Sequence, residues 1–189
     1  AHLLRGSGAA GAAGMSPVRG RLVRPMLGFR RADLRELAVA EGLPFLDDPE
    51  NEDRSRLRNR IRHEILPLIR GSVNPAVDAA LLRTARLLAA DERHLAGLAD
   101  GIPLREVGSE IWIPAGALAA VPPPIAARVV RRALRRLLAP HPGSEADVRN
   151  VLRVAAGDAA SLPFAGGHLV SRQGPFLALH PAGAVDPPD

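Results

Sequence analysis

The chain has 189 residues, a formal net charge of +5 and a pI of about 11.3, long enough for one or two small domains with their own cores. All 25 of its Lys-plus-Arg positions are arginine, and it has no cysteine and no tyrosine. This chain therefore supplies no catalytic or phosphate-cradling lysine, no disulfide, no thiol nucleophile and no Cys-ligated zinc or iron–sulfur cluster. The basic balance favours a polyanionic partner, nucleic acid or a phosphorylated ligand. An arginine-only, Ala/Gly/Pro-heavy composition also fits GC-rich codon usage, so arginine density alone does not decide the matter. With no apolar run of membrane-spanning length and no signal-peptide pattern, the sequence reads as cytoplasmic.

The chain opens "AHLLRGSGAAGAAGM", without an initiating methionine. His2 to Arg5 reads as the last turn of a helix entering a Gly/Ala-rich loop, Gly6 to Gly20; a helix end without its helix is expected of a chain cut from a longer one. Arg21 to Leu27 has strand character, with Pro25 marking an edge strand or a strand end. Arg31 to Glu41 is predicted as a helix with Leu34, Leu37 and Ala38 on one face and Gly42 just past its end. Pro44 to Asp53 is an acidic loop. Arg54 to about Leu66 follows as a helix whose stripe, Leu57, Ile61, Ile65 and Leu68, is predicted to be buried, with Pro67 kinking or ending it. Asn74-Pro75 reads as a cap and first turn, and a long helix extends to Leu98 with Val77, Leu81, Leu88 and Leu95 near seven-residue spacing, read as core packing rather than a coiled coil.

After Gly101 the texture changes. Ile102 to Pro114 reads as a hairpin turning near Gly108-Ser109, and Trp112 alternates into the core side. Ile125 to Leu138 is predicted as a helix with Arg128, Arg131, Arg132, Arg135 and Arg136 outside its apolar face. Ser144 caps a further helix to Ala156, and Ser161 to Pro181 reads as short strands joined by glycine turns. The expected organisation is 1–100, a first part that ends in linking helices; 101–181, a small α+β unit; and 182–189, a tail.

One segment changes sign abruptly. Asp47 to Asp53 carries five acidic residues, and Arg54 to His63 carries five arginines and a histidine. Acidic residues ahead of a helix start complement its dipole, and Asp53 or Ser55 is a candidate cap. For the arginines, a solvated face is the plain reading. Helical angles add another. With Leu57 and Ile61 facing inward, Arg58 and Arg62 stand together at one border of the stripe, while Arg56, Asn59 and Arg60 spread around the outside. Two guanidinium forks four residues apart can clamp phosphate or carboxylate oxygens, and the Asn59 amide both donates and accepts. The same arginines are equally compatible with ion pairs to Asp47, Asp48 or Asp53.

The motifs "LLRGSG", "DDPENEDRSRLRNRIRHEILPLI" and "LPFAGGHLVSRQGPFLAL" together resemble the tRNA(Ile)-lysidine synthetase family across nearly the whole chain. Asp48-Pro49, Asn51, the run Arg58 to Arg62 and Leu66-Pro67 match its Asp-Pro/Asn loop, Arg-Asn-x-Ile-Arg and Leu-Pro. The resemblance implies a mixed α/β, predominantly helical fold: the C-terminal part of an α/β ATP-pyrophosphatase domain, then a small α+β tRNA-binding domain. It implies a ligase that adenylates C2 of the wobble cytidine of isoleucine tRNA with ATP and then joins the ε-amine of lysine there. The implied partners are ATP, Mg2+, free L-lysine and a tRNA(Ile) with a CAU anticodon, with no membrane and with a homodimer allowed. Arg5, Arg58, Asn59 and Arg62 become substrate-binding candidates, and Arg128, Arg131, Arg132 and Arg135 tRNA-binding candidates. The "SGGxDS" nucleotide motif of the family is absent. Catalytic residues and the Mg2+ ligands are therefore expected upstream, and the isolated chain is not expected to adenylate tRNA.

Two rivals remain at this point. A tRNA-thiolating relative would need cysteines, which the chain lacks. A non-enzymatic basic RNA-binding module needs nothing beyond the two arginine-rich helices. His63 reads as an exposed helix residue, and His168 and His180, far apart in sequence, give no zinc site.

Overall fold

The computed structural model describes residues 8–139, 141 and 143–183. Arg5, the helix end His2–Arg5 and the tail from residue 184 lie outside the described residues. The chain divides into two compact units, Ala1–Glu92 and Arg93–Asp189. The division falls inside one continuous helix, Val77–Asp100, and not at residues 99–101 where the composition shifts. Helices predominate, and the strands form a two-stranded ribbon and one five-stranded antiparallel sheet.

The first unit starts with a short helix α1 (Gly8–Ala12), where the sequence suggested only loop. A ribbon of β1 (Val18–Arg19) and β2 (Leu22–Val23) follows. The expected strand stops there because Pro25 opens a 3-10 turn, Pro25–Gly28. Helix α2 (Arg31–Ala40) ends where Gly42 takes φ +62°. Leu43 N–H bonds the Ala38 carbonyl and Gly42 N–H bonds that of Val39, the paired closing bonds of a left-handed helix stop. The acidic loop contains a 3-10 turn, Pro49–Asn51, capped by Asp48, whose Oδ1 accepts the Glu50 N–H.

The helix expected from Arg54 begins later, at Leu57. Asp53 Oδ1 accepts the Ser55 N–H and so closes a turn instead of capping the helix, whose N-cap position is Arg56 with no side-chain capping bond. The helix comprises α3 (Leu57–Arg60), a π-helical segment Ile61–Ile65 and α4 (Leu66–Ser72). Pro67 therefore does not end it. Its missing N–H and bulky ring fall in the first turn of α4, just after a wider turn in which Leu66 N–H reaches back five residues to the Ile61 carbonyl. The stripe is not buried as expected: Leu57 and Ile61 are half-buried, Ile65 and Leu68 exposed. Asn74 starts α5 (Val77–Asp100), its Oδ1 accepting the Ala76 N–H, and Arg70 of α4 makes a two-nitrogen contact with Asp78 at 2.6 and 3.0 Å.

The second unit is layered. Its sheet runs β3 (Arg105–Val107), β4 (Glu110–Pro114), β7 (Phe176–Pro181), β6 (His168–Gln173) and β5 (Ser161–Phe164). The β3–β4 register pairs Val107 with Glu110, leaving Gly108-Ser109 as a two-residue turn with Gly108 at φ +58°. Helices α6 (Ala115–Ala119), α7 (Pro123–Leu137) and α8 (Glu145–Ala156) supply the other layer. Val129, Val130, Ala133 and Leu134 of α7, Val151 and Val154 of α8, and Ile113, Val170, Leu177 and Leu179 of the sheet are fully buried in one core. Each Val, Leu or Ile side chain among them contributes about 1.5–3 kcal/mol on leaving water.

Local signals fix α8 as the sequence predicts. Ser144 and Asp147 form a reciprocal capping box, and Gly157 closes the helix at φ +89°. Asp147 also accepts the Ala165 N–H, tying α8 to the turn after β5. Burial pushes its carboxyl up, but the bonds from Ser144 and Ala165 outweigh that and hold it below the usual range. Trp112 is buried, donates from Nε1 to Glu110 and meets Phe176 edge-on.

Candidate functional site

The sign change at Asp47–His63 folds into a loop clamped onto a helix. Asn59, placed on the outside by the helical angles, is 1 % exposed, because the acidic loop packs over that side. Its Nδ2 donates to the carbonyls of Glu50 and Asp53, each at 2.8 Å. Both amide hydrogens are thereby used on the loop and not offered to a ligand. His63, expected to be exposed, is half-buried and donates from Nε2 to the Asn51 carbonyl at 3.3 Å.

The same fold sorts the arginines. Arg56 pairs with Glu50 at 2.8 Å and with Asp53 at 3.4 Å; Arg54 approaches Glu64 at 3.9 Å. Asp47 receives Arg35 through two 2.8 Å bonds, which hold its carboxyl below the usual range. Arg58, Arg60 and Arg62 are exposed and have no side-chain partner among the described residues. Arg58 and Arg62 lie four residues apart on one side of the helix, and Arg60 lies about 200° round from each at 100° per residue. The result is an unpaired, solvent-facing pair of guanidinium forks on a helix held by buried hydrogen bonds, chemistry suited to phosphate or carboxylate.

The second arginine group separates as well. Arg132 turns inward: one terminal nitrogen donates to the Ala99 carbonyl and Asp100 Oδ1, the other to the Ile102 carbonyl, closing the C-terminal end of α5. It lies seven residues after buried Ile125, so the helical period already carried the signal for its direction. Of the four tRNA-binding candidates on this helix, Arg132 is the one whose guanidinium is engaged with the end of α5. Arg136 pairs with Glu106 at 2.6 Å, and Arg128 donates to the Pro124 carbonyl at 2.7 Å. Arg135 is exposed and donates from Nε to the Arg131 carbonyl, while the half-buried Arg131 side chain makes no bond to a described residue.

A cleft of about 260 Å3 is lined in part by Glu106, Arg136 and His168, and the first two pair with each other at 2.6 Å. His168 and His180 prove to be neighbours on adjacent strands, but the register sends them to opposite faces of the sheet. Among the described residues no three His, Asp or Glu side chains gather to hold a metal ion.

Comparison with known proteins gives these elements a class. A PP-loop domain family model matches residues 1–69, and a TilS substrate binding domain model matches residues 114–175. Arg58, Arg60 and Arg62 thus lie within the PP-loop domain match, and the layered unit carries the substrate-binding match. The Geobacter sulfurreducens tRNA(Ile)-lysidine synthase is 35% identical over 190 residues, covering 100% of this chain and 37% of the relative. That of Gloeobacter violaceus is 37% identical over 188 residues, covering 94% of this chain and 56% of the relative. That of Leifsonia xyli is 39% identical over 134 residues, covering 68% and 40%. The chain belongs to the tRNA(Ile)-lysidine synthase family, and it spans less than two thirds of the length of these relatives.

Proposed function

We propose that this chain works in tRNA modification, as part of a cytoplasmic ATP-dependent ligase that forms lysidine at the wobble cytidine of an isoleucine tRNA with a CAU anticodon. In this reading ATP adenylates the C2 oxygen of the base, and the ε-amine of free lysine then displaces AMP. Arg58 and Arg62 border the reacting groups and meet phosphate or the lysine carboxylate. The arginine-bearing side of α7, with half-buried Arg128 and Arg131 and exposed Arg135, meets tRNA phosphates. The observation that carries the reading is the unpaired Arg58/Arg62 couple within the PP-loop match, in a chain whose full length aligns with a relative named tRNA(Ile)-lysidine synthase.

The non-enzymatic RNA-binding alternative would bind the same tRNA without turnover. Incubating the full-length protein with the tRNA transcript, ATP and labelled lysine separates the two. Labelled tRNA that depends on ATP and on the CAU anticodon supports the ligase. Stoichiometric binding with no incorporation favours the alternative.

A further inference from the structure

The five arginines between Arg54 and Arg62 are not equivalent in charge. Arg56 is held between two carboxylates, Glu50 at 2.8 Å and Asp53 at 3.4 Å. Exposed pairs of this kind are weak when both partners are mobile, because ordering two long side chains offsets the Coulomb gain. Here the acidic side is ordered already. Asn59, buried under the loop, fixes the backbones of both Glu50 and Asp53, and Asp48 caps the 3-10 turn that contains Glu50. A phosphate approaching Arg56 must displace a carboxylate held in place and remain beside its charge. Nothing comparable faces Arg58 or Arg62 among the described residues.

We propose that the acidic loop Asp47–Asp53 is a charge mask. It withholds Arg56 from polyanions and limits this helix to the contacts made by its unpaired arginines, the Arg58/Arg62 couple foremost. The loop thereby sets how many phosphates the helix neutralises and favours a ligand placed at that couple over RNA lying anywhere along the arginine run. The inference rests on the proposed anion-binding role of Arg58 and Arg62.

The mask is read from the salt dependence of binding. For each phosphate neutralised, the slope of log K against log[salt] changes by about 0.7–0.9. Binding of an unmodified tRNA transcript is measured over a salt series for the full chain and for R56A, E50Q/D53N and E50Q/D53N/R56A. The R56A variant should keep the parent slope, because Arg56 is already neutralised. E50Q/D53N should steepen it by about 0.7–0.9, and R56A in that background should restore the parent value. An unchanged slope in E50Q/D53N overturns the mask, as does a steepening that R56A does not reverse. Among the described residues the Glu50 side chain pairs with Arg56 alone, so E50Q by itself should shift the slope in the same direction and serves if the double variant folds poorly. R58A/R62A tests the underlying reading separately: a slope equal to the parent's would overturn the anion-binding couple itself, whatever the mask variants do.

Discussion

The two units carry helices of similar periodicity and are held together differently. In the second, the α7 stripe Val129, Val130, Ala133 and Leu134 meets a sheet and a second helix and is fully buried. In the first, the Leu57–Leu68 stripe stays half-buried or exposed, and Asn59 and Val77 are its buried residues among those described. Its elements are fixed instead by helix stops, ion pairs and the Asn59 clamp. Periodicity names the face that seeks cover; whether it is covered depends on another surface being present. One unit resists change in its core, and the other resists change at a few polar contacts.

Breaking the core should have the largest effect. Leu134→Ala should cost about 2–5 kcal/mol, since a cavity in a close-packed layer adds to the lost transfer energy. Leu68→Ala, at a 66 % exposed position, should stay within about 0.5 kcal/mol. Urea denaturation of both variants checks the contrast, and similar losses would mean that the stripe of the first unit is covered after all.

Breaking the clamp comes next. Asn59→Ala leaves two inward-facing carbonyls without their donor, at about 1–3 kcal/mol. Hydrogen exchange should accelerate through residues 48–63 and stay unchanged in the β-sheet.

The Asp147 cap adds a pH arm. Its folded pKa lies below the unfolded value of about 3.9, so its stabilisation is present above that pH and fades as pH falls through the folded value. Asp147→Asn should lower stability near neutral pH by about 1–3 kcal/mol, because the amide can no longer accept both the Ser144 and Ala165 N–H groups. The parent and variant curves should converge at low pH, and a constant gap would contradict this account.

What could be read ahead of the structure follows the same division. The helix stop at Gly42, the Gly108-Ser109 turn and the Ser144 cap were legible because each signal lies within a few residues of its effect. The burial of Asn59 and the inward turn of Arg132 were not, because each depends on a partner segment: the loop nine residues back for Asn59, the end of α5 about thirty back for Arg132. At Pro67 the breaker rule was legible, but the π-helical turn that accommodates it was not. Of the candidate site, the border position of Arg58 and Arg62 came from helical angles alone. Their lack of partners required seeing which arginines the acidic loop had taken. Arg56 is paired twice, and Arg54, with its single 3.9 Å approach, serves as the control arginine.

The most direct measurement is ATP-dependent incorporation of labelled lysine into the isoleucine tRNA by the full-length protein carrying Arg58→Ala, Arg62→Ala or Arg54→Ala. The account predicts at least a tenfold loss for each of the first two, equivalent to about 1.4 kcal/mol of barrier. Stability should be unchanged, and lysine substitution should rescue only in part because it lacks the planar fork. Arg54→Ala should retain parent activity. Near-parent incorporation by both Arg58→Ala and Arg62→Ala would contradict the account and return the arginine run to a solvated helix face.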